Sequence, residues 1–155
     1  MRNDVEALIV RLEKSLQEYT NILLDCEEDS LDAAPSDTEW SPIEVFGHIK
    51  ALDDIITYRI ASTVTQDTPQ LVNFDTDAWE QAAGYTDSPL DQTLMAFARH
   101  RSEMIWQMRH FADSVWDRKA IHPIRGEVTL IELVEIFTKH EEEHLEQLKA
   151  IFVEN

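Results

Sequence analysis

Residues 129–151, TLIELVEIFTKHEEEHLEQLKAI, decide the fold. Thr129 and Glu132 form the Thr-x-x-Glu pattern of a capping box, with Val128 and Leu133 placed to close a hydrophobic staple around it. From there Leu130, Leu133, Phe137, His140, His144, Leu148 and Ile151 recur at steps of three and four, the period of an amphipathic helix. Two positions on that apolar line are histidines. The chemistry of the chain therefore begins on the same stripe as its core.

The same reading applied upstream predicts three more helices. Helix one spans about Asp4 to Asp25 on the line Val5, Leu8, Leu12, Leu16, Tyr19 and Leu23. Helix two opens with Ser41 as cap, Pro42 at the first helical position and Glu44 completing a capping box. Trp40 and Val45 are placed as its staple, and the stripe continues through Ile49, Leu52 and Ile56. Helix three repeats the device with Ser88 and Pro89, then runs Leu90, Leu94, Phe97, Arg101, Met104, Met108, Phe111 and Val115. Few glycines and prolines, and many strong helix formers, favour helix over sheet throughout. The expectation is a single all-α domain over residues 1–155, a four-helix bundle. Residues 65–87 form a crossover long enough for helices two and three to run parallel, giving up-down-down-up order. The links 26–40 and 116–128 read as ordinary turns, with no sheet flanking the last helix.

Composition narrows the partners. A formal charge of −18 repels phosphate-rich ligands, so nucleic acid is excluded. No apolar run reaches membrane-spanning length, and the opening MRNDVEALIVRLEK lacks a signal-peptide layout. The single cysteine, Cys26, cannot form an internal disulfide and fits a reducing cytoplasm; it reads as an inert thiol at the end of helix one.

Three histidines carry the functional argument. His140 and His144, four residues apart, can turn both rings to one ion. His48 lies on the line Val45, His48, Leu52 and Ile55 of helix two. At 1.5 Å per residue, His48 lies about 10 Å from the start of its helix and His144 roughly 14 Å from the far end of helix four. Antiparallel helices bring these depths together. Three uncharged donors leaving a position for water form an open site for a divalent metal; the competing reading is three core histidines, each satisfied by its own acceptor. The run also fits His-Glu-x-x-His, with Glu141 as general base, but too little chain follows His144 for a downstream third ligand. Glu141 is a base candidate or an exposed acid beside Glu142, Glu143 and Glu146. Arg101 either orients an anionic substrate or fills the core with its head on an acid. Phe74, Trp79 and Tyr85 either roof a pocket at the site or anchor the long crossover, Asp75 and Asp77 are turn or capping acids, and His100, His110 and His122 are expected at the surface.

Trp40-Ser41-Pro42-Ile43-Glu44-Val45-Phe46-Gly47-His48 and His140-Glu141-Glu142-Glu143-His144-Leu145-Glu146-Gln147 together resemble the two motifs of the DinB-like family of metal-binding four-helix bundles. The stretch His122 to Leu133 is similar to that family's approach to the last helix. The resemblance implies that His48, His140 and His144 bind a divalent ion, usually zinc or nickel and sometimes iron, and that homodimers are frequent. It further implies a hydrolase or a low-molecular-weight-thiol S-transferase acting on a small molecule. A noncatalytic bundle that scavenges or senses an ion is the alternative.

Overall fold

The computed structural model describes residues 2–153. Four long helices build the bundle: α1 (Asn3–Asp25), α3 (Pro42–Thr65), α5 (Leu90–Arg109) and α6 (Leu130–Val153). Two short helices lie between them, α2 (Glu28–Leu31) and α4 (Thr76–Ala83). A 3-10 turn (Asp113–Asp117) and the strands β1 (Lys119–His122) and β2 (Gly126–Thr129) precede α6.

Caps explain where the helices that carry the histidines begin. In α3 the Ser41 Oγ accepts from the Glu44 backbone N–H at 3.4 Å, while the Ser41 N–H donates to Glu44 Oε2 at 2.7 Å. Thr129 and Glu132 make the same exchange at the start of α6. The device expected at Ser88 is absent. Pro89 holds the cap position, and Ser88 Oγ instead donates to the Gly84 carbonyl at 2.8 Å.

The helix predicted through Val115 stops at Arg109. The chain turns so that Trp116 becomes fully buried against Phe111, a burial that outweighs continuation of the stripe. The links are also more structured than ordinary turns. Contrary to the expectation of no flanking sheet, β1 and β2 pair antiparallel with Ala120 opposite Val128 and His122 opposite Gly126. Ala120 and Val128 face the core, and Gly126 sits at φ 75°, a conformation that favours glycine. The hairpin also ties down the crossover: Leu71 N–H donates to the Ile121 carbonyl at 2.9 Å, and Ile121 N–H to the Pro69 carbonyl at 2.8 Å. Within the crossover, Asp75 caps α4, and Gly84 ends it in the left-handed region at φ 69°.

The core has two apolar clusters. One contains Leu12, Ile56, Met104 and Phe137; the other contains Tyr19, Ile49, Phe97 and Leu145. Between those positions on α3, α5 and α6 lie Asp53, Arg101 and Glu141, all fully buried. The pairs Phe46–Phe97, Asp53–Arg101 and Thr57–Met104 advance together along α3 and α5. His48 near the start of α3 meets His140 and His144, which straddle the middle of α6. No described helix is long and apolar enough to cross a membrane.

Candidate metal centre

His48, His140 and His144 bring ring nitrogens to within 4.8 Å of one another. Ring centroids are 4.8 Å apart for His48 and His144, 4.6 Å for His140 and His144, and 5.8 Å for His48 and His140. Trp40 stacks on His144 at 5.6 Å and 13°, and leans on His48 at 4.9 Å. The indole thus walls one side of the cluster, while His140 keeps an exposed face.

Hydrogen bonding assigns the protons. His144 Nδ1 lies 2.8 Å from Gln147 Oε1, an acceptor, so Nδ1 carries the hydrogen and Nε2 the lone pair. That lone pair faces His140 Nε2 at 3.2 Å. Either His140 donates into it, or one cation takes a lone pair from each ring. Metal–nitrogen bonds of about 2.0–2.1 Å in a tetrahedral array place neighbouring donors about 3.3–3.4 Å apart, so the observed spacing fits. His48 Nδ1 is buried without a hydrogen-bond partner, and Asp77 Oδ1 and Glu80 Oε2 stand 4.0 Å from it. This donor set suits a borderline cation such as zinc.

Burial favours the neutral form of His48 and His140. It pushes His48 down to about 4, helped by His144 and His140, and it lowers His140 with help from His144. Glu80 moves the other way, raised to about 7 by burial and then by Asp77 and Glu44. Gly47 leaves room for the Glu80 carboxylate, since a Cβ there would lie 2.8 Å from Glu80 Oε1.

Two cavities border the cluster. An acidic one of about 760 Å³ is lined by Trp40, Glu44, Asp77 and Glu80. A second, of about 430 Å³, runs between α3 and α6 beside Leu52, Ile56, Leu133 and Phe137, with His140 in its wall.

Three comparisons with known proteins bear on this arrangement. The model of the DinB superfamily matches residues 11–148. The chain belongs to the DinB superfamily. A protein of Oceanobacillus iheyensis named "Putative metal-dependent hydrolase OB0413" is 20% identical over 146 residues, covering 92% of this chain and 84% of its own. YfiT from Bacillus subtilis, described as a probable metal-dependent hydrolase with an unusual four-helix bundle topology, matches with a TM-score of 0.86 at 17% identity. The match covers 97% of this chain and 87% of YfiT. A mycothiol-dependent maleylpyruvate isomerase matches at 0.73 and 12% identity, over 96% of this chain and 63% of its own. At these identities the structural matches establish the bundle fold.

Within this DinB-superfamily bundle, Arg101 and Glu141 are brought together but away from the open face of the histidines. Arg101 Nη1 and Nη2 donate to Glu141 Oε1 and Oε2 at 2.9 and 2.5 Å, and Arg101 Nε donates to Asp53 Oδ1 at 2.7 Å. Phe97 and Phe137 sandwich the guanidinium at 4.9 and 5.1 Å. Glu141 is thus not the exposed acid that the neighbouring glutamates suggested. The Tyr19 hydroxyl donates to the Glu141 carbonyl at 2.9 Å, adding a further tie to α6.

Other expectations need correction. His100 is half-buried, its Nδ1 2.5 Å from Asp53 Oδ2, and His122 is buried rather than exposed. His110 is exposed, as expected, and Met104 and Met108 are core. Trp79 and Tyr85 anchor the crossover by donating to Asp54 Oδ2, and Phe74 packs edge-on against Tyr58.

Sequence reasoning missed the stacking of Trp40 on two imidazoles and the approach of Glu80. Gln147 carried a usable signal, being one turn beyond His144 on the same face. Glu80 carried none, because its place depends on how the crossover folds back.

Proposed function

We propose that the protein is a divalent-metal-dependent enzyme in which His48, His140 and His144 are the ligands, acting as a hydrolase or low-molecular-weight-thiol S-transferase on a small molecule. The observation that carries this reading is the convergence of three imidazoles from two helices, two of them with Nε2 atoms 3.2 Å apart. A divalent ion held there supplies Lewis acidity that makes a water or thiol nucleophilic near neutral pH. Zinc or nickel suits the donors best, with iron as the remaining choice.

The remaining roles belong to the chain. Gln147 fixes the His144 tautomer, so its Nε2 lone pair is permanently available. Trp40 shields one side of the cluster from bulk water and leaves the face toward the α3–α6 cavity open for substrate. Glu80, raised to about 7 and lining the acidic cavity beside His48, is the group placed to hold or release a proton near neutral pH. Arg101 and Glu141 act as positioning residues. Their bidentate pair fixes the rotation of α6, and His140 and His144 flank Glu141 on that helix.

The test is metal content of untagged protein, followed by a screen. One equivalent of metal is expected in the wild type and under a tenth in His144→Ala. A panel of small electrophiles with water alone, then with cysteine, glutathione, bacillithiol and mycothiol, separates hydrolysis from thiol transfer. Full metal in His144→Ala contradicts the ligand assignment. Bound metal with no turnover across the panel favours an ion scavenger or sensor.

A further inference from the structure

The far end of the α3–α6 cavity has no role in metal binding, yet it concentrates hydrogen-bond donors. Arg59, His122 and Arg125 line it together with the apolar wall. In a chain with 31 Asp and Glu against 13 Lys and Arg, an arginine is expected to sit on a carboxylate. Arg11, Arg101 and Arg109 do so. Arg59 does not: its partners among the described residues are the Val72 carbonyl at 3.2 Å and His122 Nε2 at 3.3 Å. Its Nε is buried with no hydrogen-bond partner. Burial without a compensating acid lowers its basicity.

The contact between Arg59 and His122 is itself short of an acceptor. His122 Nδ1 receives the Ile124 and Arg125 backbone N–H groups at 3.2 and 3.3 Å. A neutral imidazole that accepts at Nδ1 carries its hydrogen on Nε2. That N–H then points at Arg59 Nη1, which is also a donor. Protonating His122 adds a second clash at Nδ1, and the opposite tautomer only moves the conflict there. Burial and the two arginines hold the ring in its neutral form. Two donors face each other and want an acceptor between them. The hairpin sets this up: the turn between β1 and β2 carries His122 inward and leaves Arg125 at the cavity mouth.

We infer that this end of the cavity binds the carboxylate of an elongated small-molecule substrate, whose apolar body lies along Leu52, Ile56 and Phe137 and whose reacting end reaches the three histidines. This rests on the metal-site reading only for the reacting end. One carboxylate oxygen accepting from both Arg59 Nη1 and His122 Nε2 relieves the donor–donor contact, and the other faces the part of the cavity that Arg125 lines. A carboxylate fits two planar donors and one monoanion's worth of unpaired buried charge better than a dianionic phosphate. Arg59 follows His48 by about 16 Å along the α3 axis, so the carboxylate and the reacting bond are separated by several carbons. The cavity of about 430 Å³ falls in the range of small-molecule sites.

The test is calorimetric titration with octanoate, 1-octanol, octylamine and octyl phosphate, on the protein as purified with its metal and again after chelation. Octanoate is expected to bind in both states, with octanol and octylamine at least about tenfold weaker, the worth of a charge-assisted hydrogen bond. Arg59→Gln is expected to weaken octanoate by at least about tenfold without changing octanol, and Arg59→Lys to recover part of the loss. Equal binding of octanoate and octanol overturns the inference in the wild type alone, whatever the variants do. So do preferential binding of octyl phosphate and octanoate binding that vanishes on chelation but ignores Arg59. Protein purified without metal that still binds octanoate through Arg59 leaves this inference standing and contradicts the metal-site reading. Metal-loaded protein with Arg59-independent binding does the reverse.

Discussion

Two polar clusters interrupt the core of this bundle, and they differ in how completely they satisfy themselves. Around Arg101, the guanidinium meets Asp53 and Glu141, Asp53 also meets His100, and aromatic rings cover both faces. Around His48, a ring nitrogen is buried with nothing bonded to it, and two imidazole Nε2 atoms face each other. Both clusters draw on α3 and α6. The first is closed, with each charge paired inside the protein, as stability requires of buried ions. The second keeps lone pairs available, which costs stability unless something binds there. Unsatisfied valence, more than polarity or burial, separates a site from a structural node.

The largest expected effect lies on the closed cluster. Arg101→Met strands the buried Glu141 carboxylate, leaves Asp53 with His100 alone, and is expected to destabilise the protein by about 3–5 kcal/mol, read as a fall in the urea midpoint. A loss below about 1 kcal/mol would erase the distinction between the clusters. On the open cluster the prediction inverts. His140→Ala is expected to change the stability of metal-free protein by less than about 1 kcal/mol, yet to abolish the gain on metal addition, about 2.7 kcal/mol for a ligand at a hundredfold its Kd. Thermal melts with and without chelator check both halves.

Gln147→Leu sits between these extremes. It removes the acceptor that sets the His144 tautomer while leaving all three ligands, so metal affinity is expected to fall about 10–100-fold. Competition with a chromogenic chelator measures it, and an unchanged affinity would leave Gln147 without a role.

The smallest effect is the pH dependence of the closed cluster. Burial opposes the charge of Asp53, but Arg101 and His100 outweigh it and hold the carboxyl below its usual 3.8. That stability is present above about pH 4 and is lost as pH falls through the depressed value. His100 is raised above 6.5 by its bond to Asp53, so its contribution is complete below about pH 6.5 and is lost as pH rises through the raised value. His100→Gln is expected to remove that alkaline loss, less than about 1 kcal/mol for a half-buried pair. Urea midpoints at about pH 6 and pH 9 should converge in the variant. A difference as large as in the wild type would assign the alkaline limb to another group.

The long helices were legible because one periodic stripe and one capping box repeat along the chain, and Ser41–Glu44 and Thr129–Glu132 form as the sequence implies. His48, His140 and His144 were legible for the same reason: each occupies a core position on its stripe. The connections were not. Asp75 and Gly84 bracket α4, but eight residues are too few for a periodic signal, and β1 and β2 have four residues each. Glu80 and His122 owe their positions to those short elements, so their approach to the site required the folded chain. Arg101 illustrates a third case. Its place on the stripe was plain, while its partners Asp53 and Glu141 emerge only when three helices pack.

X-ray absorption at the metal edge of untagged, metal-loaded protein tests the central claim most directly. The account predicts three imidazole nitrogens at about 2.0–2.1 Å with a further light ligand completing the shell. Two or fewer imidazoles, or an unchanged spectrum in His48→Ala, would contradict it.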